Sequence, residues 1–304
     1  MRRTAAVAVT AVAVLFLILA WPGSPAKEWL LSFLAGRPRV QTNLVPRAKA
    51  DTPGPVLRIA IGAMISPERT LDHYGRFFEA FARSIGHSAE IIQRRTYLEV
   101  NQLILDKKID LAWLCTGAWI ELHQKHAARL LAVPVVGGKV TYQALIIANS
   151  GTKAEGILGL RGRRFAFTDP VSLTGCKYPR RLVRESGEEP STFFSTTTFT
   201  HGHDTSVEAV RRGFADAASV DSLVYEYLEK LSPEEVAGIR IVHRSVPFPI
   251  PPLAVPAGTT DAEFVELQQA LIGFSKSEEG RNVLLPILVE RFAVPDEGSY
   301  RELE

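Results

Sequence analysis

From Val56 to His243, apolar strand-like runs alternate with stretches of helical period, and this alternation restricts the fold more than any other feature of the chain. Val56–Ile61 reads as a buried strand. Tyr74, Phe77, Phe78, Phe81 and Ile85 then recur at helical spacing until Gly86 ends the helix. The pattern predicts strands over 90–92, 109–114, 130–136 and 140–148, with helices over 97–105 and 119–128. After Ser150 it restarts, with strands over 164–167, 197–199, 217–220 and 240–243 and helices over 174–184, 206–212 and 222–230. A helical tract over 260–292 follows. Two successive β/α runs predict an α/β fold of two lobes, each a mostly parallel sheet flanked by helices, with a ligand cleft between them. The C-terminal segment is expected to return to the first lobe. Lobe 1 then comprises 56–148 and 246–304 and lobe 2 comprises 149–245, with crossings near Asn149–Ser150 and Ser245–Pro247.

Ahead of this region, Arg2 and Arg3 precede an apolar run from Ala5 to Trp21, stopped by Pro22-Gly23 and followed by the small residues Ser24-Pro25-Ala26. That is the form of an export signal cleaved near Ala26, or of a retained membrane anchor, over residues 1–26. Either places the folded part in the periplasm or on the outer face of the cytoplasmic membrane. Residues 27–55, rich in Pro, Arg, Lys and Gly, read as a linker. A formal net charge of +2 gives no support to a nucleic-acid groove. With two cysteines the chain has no disulfide framework, and an unpaired thiol in an oxidising compartment is a liability unless used.

Both cysteines fall at strand-to-helix turns. One turn reads Asp169-Pro170-Val171-Ser172-Leu173-Thr174-Gly175-Cys176 after the strand Arg164–Phe167; the other reads Asp110-Leu111-Ala112-Trp113-Leu114-Cys115-Thr116-Gly117. Amides at a helix start lack backbone partners and share the positive end of the helix dipole, so such turns suit an oxyanion. Ser172, Leu173, Thr174, Gly175, Cys115, Thr116 and Cys176 are therefore candidate ligand contacts. Ser172 and Thr174 fit an ordinary N-cap as well, and Cys176, one residue into its helix, faces either cleft or core. Met64 and Ser66 lie on the first β-to-α turn, which borders the expected cleft. No third ligand accompanies His123 and His126 at metal spacing, so neither metal nor cofactor is expected.

With these turns in place, the chain resembles the PhnD-like phosphate, phosphite and phosphonate binding proteins, a branch of the type II periplasmic binding proteins. The resemblance spans roughly Leu57 to Phe292. It rests on Tyr97 to Trp113, ending Lys108-Ile109-Asp110-Leu111-Ala112-Trp113; on Thr168 to Gly175; on Gly202-His203-Asp204 followed by Val207-Glu208-Ala209-Val210; and on Gly213 to Asp221. It implies the bilobal type II periplasmic-binding-protein fold, a small oxyanion clasped between lobes, delivery to an ABC transporter permease as a monomer, and no catalysis. Ser172, Thr174 and Gly175 match the family's Ser-Thr-Ser-Gly oxyanion turn, with Leu173 in place of a hydroxyl residue. Tyr97 and His203 match ligand-contacting positions, and Asp221 takes the place after a late strand where a polar residue faces the cleft. Leu114-Cys115 replaces an aromatic residue and glycine.

That replacement resembles a narrower branch, the AioX-type arsenite sensors that partner a membrane histidine kinase. Thiolate is a soft ligand suited to As(III), so Cys115 and Cys176 are candidate arsenic ligands under this alternative. A third reading, an enzyme with Cys115 as nucleophile and His203 as base, lacks the glycine two residues before the nucleophile, where Trp113 stands.

Overall fold

A computed structural model describes residues 54–62, 64 and 67–303, with the side chains of 67–73 outside the description. The export or anchor segment, nearly all of the linker and Ser66 lie outside the described residues. No described helix is long and apolar enough to cross a membrane.

The first β/α run gives β1 (Val56–Ile61), α1 (Pro67–Ser84), β2 (Ser88–Gln93), α2 (Tyr97–Leu105), β3 (Leu111–Trp113), α3 (Thr116–His123) and β4 (Ala128–Val135). Three strands continue the chain: β5 (Thr141–Tyr142), β6 (Ala144–Asn149) and β7 (Arg164–Phe167). The second run adds α4 (Tyr178–Glu185), α5 (Pro190–Phe193), β8 (Thr196–Phe199), α6 (His203–Arg211), β9 (Ala217–Asp221), α7 (Ser222–Leu231) and β10 (Ile239–Arg244). The return comprises β11 (Phe248–Pro249), β12 (Leu253–Pro256), α8 (Asp261–Phe274), α9 (Glu278–Leu284), β13 (Arg291–Ala293) and α10 (Glu297–Arg301).

These strands form two main sheets, ordered β13-β4-β12-β3-β1-β2 and β10-β6-β9-β7-β8. The α/β class and its helix-flanked sheets stand. The sheets, however, are mixed rather than mostly parallel. β2, β1 and β3 are parallel, as are β8, β7 and β9, whereas β12 runs antiparallel to both β3 and β4. β6 likewise runs antiparallel to β9 and β10. The physical reason is the crossing: a strand arriving from the other sheet inserts without a crossover helix to turn it round.

β6 belongs to the second sheet, so the chain leaves the first sheet before Ala144 rather than near Asn149. The two connections between sheets run through β5 and β11, which pair with each other antiparallel, Phe248 opposite Tyr142 and Pro249 opposite Thr141. Trp113 Nε1 donates to Pro251 O at 3.1 Å and fastens the second connection to β3.

The aromatic stripe of α1 builds the core under the first sheet. Phe77 stacks on Phe292 at 5.3 Å between ring centroids and meets Trp113 edge-on at 6.1 Å. Phe274 of α8 packs on Phe77 in this core, 5.7 Å between ring centroids. The C-terminal helical tract is shorter than the spacing implies: Leu288 takes a left-handed backbone (φ 56°) and the chain leaves as β13.

Candidate functional site

The strand ends and helix starts of the two runs meet between the sheets. β3 ends beside Cys115, the N-cap residue of α3, whose backbone is extended. Its sulfur is buried, with the amides of Leu173 across the gap and of Gly117 and Ala118 in its own helix near enough to bear on its charge. Burial pushes the thiol up, and those three amides pull it back toward the thiolate. Gly117 sits against the facing turn so closely that a Cβ there would lie 2.1 Å from Val171 O and 2.7 Å from Leu173 N.

The facing turn is built around Asp169, which is buried. Its Oδ1 accepts the Val171 N–H at 3.0 Å and its Oδ2 accepts the Tyr97 N–H at 3.2 Å, tying the start of α2 to the turn. Leu173–Lys177 then forms a widened, π-type turn before α4. Such turns recur at functional sites because they open backbone groups that a regular helix would consume. Lys177 Nζ meets Glu121 Oε1 of α3 at 3.0 Å, and the His203 N–H donates to Met64 O at 2.9 Å.

Within this closure lie three hydroxyls with no hydrogen-bond partner, Tyr97 Oη, Tyr142 Oη and Thr174 Oγ1, all buried. Leaving such a group unpaired costs about 1–3 kcal/mol each. Tyr97 and Tyr142 lie within electrostatic reach of each other, of Cys115 and of Asp221. Desolvation chiefly raises both phenols, so each remains a neutral O–H donor. Asp221 caps α7 through Oδ1, which accepts the amides of Leu223 at 2.6 Å and Val224 at 3.1 Å. Burial lifts its carboxyl to about 7 against the pull of those amides.

His203 Nδ1 accepts the Asp221 N–H at 3.1 Å and lies 3.1 Å from Thr168 Oγ1. An amide can only donate, so the imidazole proton resides on Nε2. Burial drops this histidine to about 3, so it stays neutral through the whole range around pH 7. Its neutral folded form contributes stability that is fully present above the ordinary value near 6.5 and is lost as pH falls toward 3. Thermal unfolding from pH 7 to pH 4 should therefore show a smaller loss of Tm in His203→Gln than in the native chain. Superimposable profiles would refute this.

The other expected contacts divide. Ser172 Oγ is spent on the Gly175 N–H at 3.0 Å, so that hydroxyl and that amide cap each other. Gly175 is glycine because a Cβ would meet Thr168 Oγ1 at 2.5 Å. Thr116 Oγ1 donates to Pro249 O of β11 at 2.9 Å, linking α3 to the crossing ribbon. Leu173 turns its side chain into the cluster of Trp119 and Tyr178 while its amide lies near Cys115. Met64 is buried and accepts the His203 amide through its carbonyl.

Cys176 packs into the second-sheet core with Phe165, Phe167 and Val183, its thiol pushed up to about 11 by burial. Cys115 packs into the first-sheet core. Both thiols are free, and Cys176, the residue directly after Gly175, points into the second-sheet core rather than toward Cys115. Sequence reasoning missed Tyr142, Asp169 and Gly117. Tyr142 carried no signal because its neighbourhood reads as an apolar strand; Gly117 carried one, a glycine just inside a helix start.

The family model for the periplasmic phosphonate substrate-binding protein of ABC transporters matches residues 59–300. The phosphate-import protein PhnD of Mycolicibacterium smegmatis is 24% identical over 163 residues, and the chain spans about half the length of that relative (50% of each). Among solved structures, a binding protein component of an ABC phosphonate transporter from Pseudomonas aeruginosa superposes with a TM-score of 0.76 at 21% identity, covering 82% of this chain and 84% of that one. PhnD1 of Prochlorococcus marinus, solved with methylphosphonate, gives 0.73 at 16% identity over 82% and 95%.

Proposed function

The chain belongs to the family of periplasmic phosphonate substrate-binding proteins of ABC transporters, and on that premise we propose that it clasps a small oxyanion of the phosphate, phosphite or phosphonate class between its two sheets and presents it to an ABC permease. The observation that carries this reading is the convergence of three buried, unpartnered hydroxyls, Tyr97, Tyr142 and Thr174, with the π-type turn and the start of α3. Oxygen atoms of a tetrahedral anion accept from such donors without charge neutralisation by a cation, because fixed dipoles replace its water. Relatives of this family and fold are substrate-binding proteins, not enzymes. The His203 ring nitrogen that a base would use is already engaged by Thr168 and the Asp221 amide.

The lobes we assign follow the sheets, with the paired β5–β11 ribbon as the hinge. Hydrogen bonds from Tyr97 to Asp169 and from His203 to Met64 join the two halves and belong to the closed form. Opening breaks them, and ligand binding offsets that loss by its preference for the closed form.

A second reading is supported by Cys115, whose sulfur lies among the same donors: a trivalent arsenic oxyacid held by one thiolate and the hydroxyls, for a sensor acting through a membrane histidine kinase. Cys176, facing a different core, takes no part in it. Calorimetry of phosphate, phosphite, methylphosphonate and arsenite against native chain and Cys115→Ser separates the two. Under the oxyanion reading the serine variant keeps phosphonate-class affinity within about fivefold, roughly 1 kcal/mol. Arsenite binding that vanishes in Cys115→Ser, with no heat from the phosphorus compounds, would replace it with the sensor reading.

A further inference from the structure

We propose that the bound oxyanion carries an uncharged apolar substituent of roughly three to six carbons, seated in a cavity that adjoins the polar cluster at Asp221. This rests on the oxyanion reading above and narrows its ligand. The cavity measures about 100 Å³. One wall is Met64, Tyr74, Trp113 and Val289; the other is Val224 and Leu228 of α7. Tyr74 meets Trp113 edge-on at 5.0 Å between centroids and packs against the apolar clusters of both sheets, so it stands at the seam between them. Asp221 belongs to both spaces, lining the cavity and lying in electrostatic reach of Tyr97, Tyr142 and Cys115. A substituent on an anion held by the hydroxyls would reach this hydrocarbon wall by passing Asp221.

Three carboxyl groups also line the cavity, which raises the question of a cationic substituent. Each is engaged elsewhere. Asp221 Oδ1 caps α7 and Asp204 Oδ1 accepts the Thr205 N–H at 2.9 Å. Glu226 Oε1 faces Arg244 Nη1 at 4.0 Å near the surface. The remaining walls are largely aliphatic or aromatic, which favours an uncharged group.

Calorimetry of the full-length chain with inorganic phosphate, methylphosphonate, propylphosphonate and the amine-terminated 2-aminoethylphosphonate tests this. Propylphosphonate should bind about tenfold tighter than methylphosphonate, from two more buried methylenes, with a more negative heat-capacity change. Val136 and Ile287 also line the cavity, and filling it by Val136→Phe, or by Ile287→Phe should the first not fold, should bring the propyl-to-methyl ratio near one. Propylphosphonate no tighter than methylphosphonate, the amine-terminated compound binding best, or a ratio unmoved by both fillings would each overturn the proposal and leave the oxyanion reading standing. Absence of heat from all four compounds would overturn both.

Discussion

Gly117→Val should abolish ligand binding while leaving the protein folded. The valine Cβ would occupy a point 2.1 Å from Val171 O and 2.7 Å from Leu173 N, and both are backbone atoms that no rotamer change can move aside. Inside α3 the substitution itself is mild, since Gly117 has no left-handed backbone and a helix accepts valine at a small propensity cost. The damage falls on the approach of the 171–173 turn to the start of α3. With the turn displaced by an ångström or more, the Leu173 amide moves away from the Cys115 sulfur and Thr174 from Tyr142. The hydroxyls then no longer converge, and an affinity loss of about a hundredfold or more, ~2.7 kcal/mol, follows. The check is calorimetry with the best ligand, alongside solution scattering with and without it. The native chain should become more compact on binding and Gly117→Val should not. Wild-type affinity in the valine variant would show that this close approach has no part in binding.

The second large effect is on pH. Asp221 is buried, lies beside the proposed anion site, and has its carboxyl lifted to about 7 by desolvation. As a neutral acid it tolerates an adjacent oxyanion; ionised, it repels one. Affinity should therefore fall as pH rises above about 7, approaching tenfold per pH unit in the limit where one proton is taken up with the ligand. Asp221→Asn removes the titration and keeps the cap of α7, because an amide oxygen still accepts from Leu223 and Val224. At pH 8.5 this variant should bind at least tenfold tighter than the native chain, and at pH 6 the two should be similar. Titration of the ligand's own acidic group affects both proteins alike, so the difference between the profiles is the diagnostic. The sign for stability matches. A carboxyl raised above its unfolded value gives stability that is present below about 4 and lost as pH rises through 7, so the ligand-free asparagine variant should melt higher than the native chain at pH 8. Parallel binding profiles for the two proteins would remove Asp221 from the site.

Much of the architecture was legible in the residues. The spacing of Tyr74, Phe77, Phe78 and Phe81 marks α1, and Gly86 (φ 72°) stops it, because apolar period and backbone freedom act over a few neighbours. Both turns of the proposed site could be placed for the same reason: a strand end, a small polar residue and a helix start follow one another in the chain. The mixed sheets could not, since pairing direction depends on where a strand inserts, as β12 does between β3 and β4.

Nor could the chain announce which donors a ligand would meet. Ser172 and Thr174 are two residues apart and both hydroxylic, yet the first bonds Gly175 and the second is left without a partner. Tyr142, from a ribbon formed by two distant segments, joins Tyr97 only after both crossings are made. Local order along the chain sets which elements form and where they turn. Hydrogen-bond competition in the assembled interior decides which polar atoms are consumed and which remain to hold a guest.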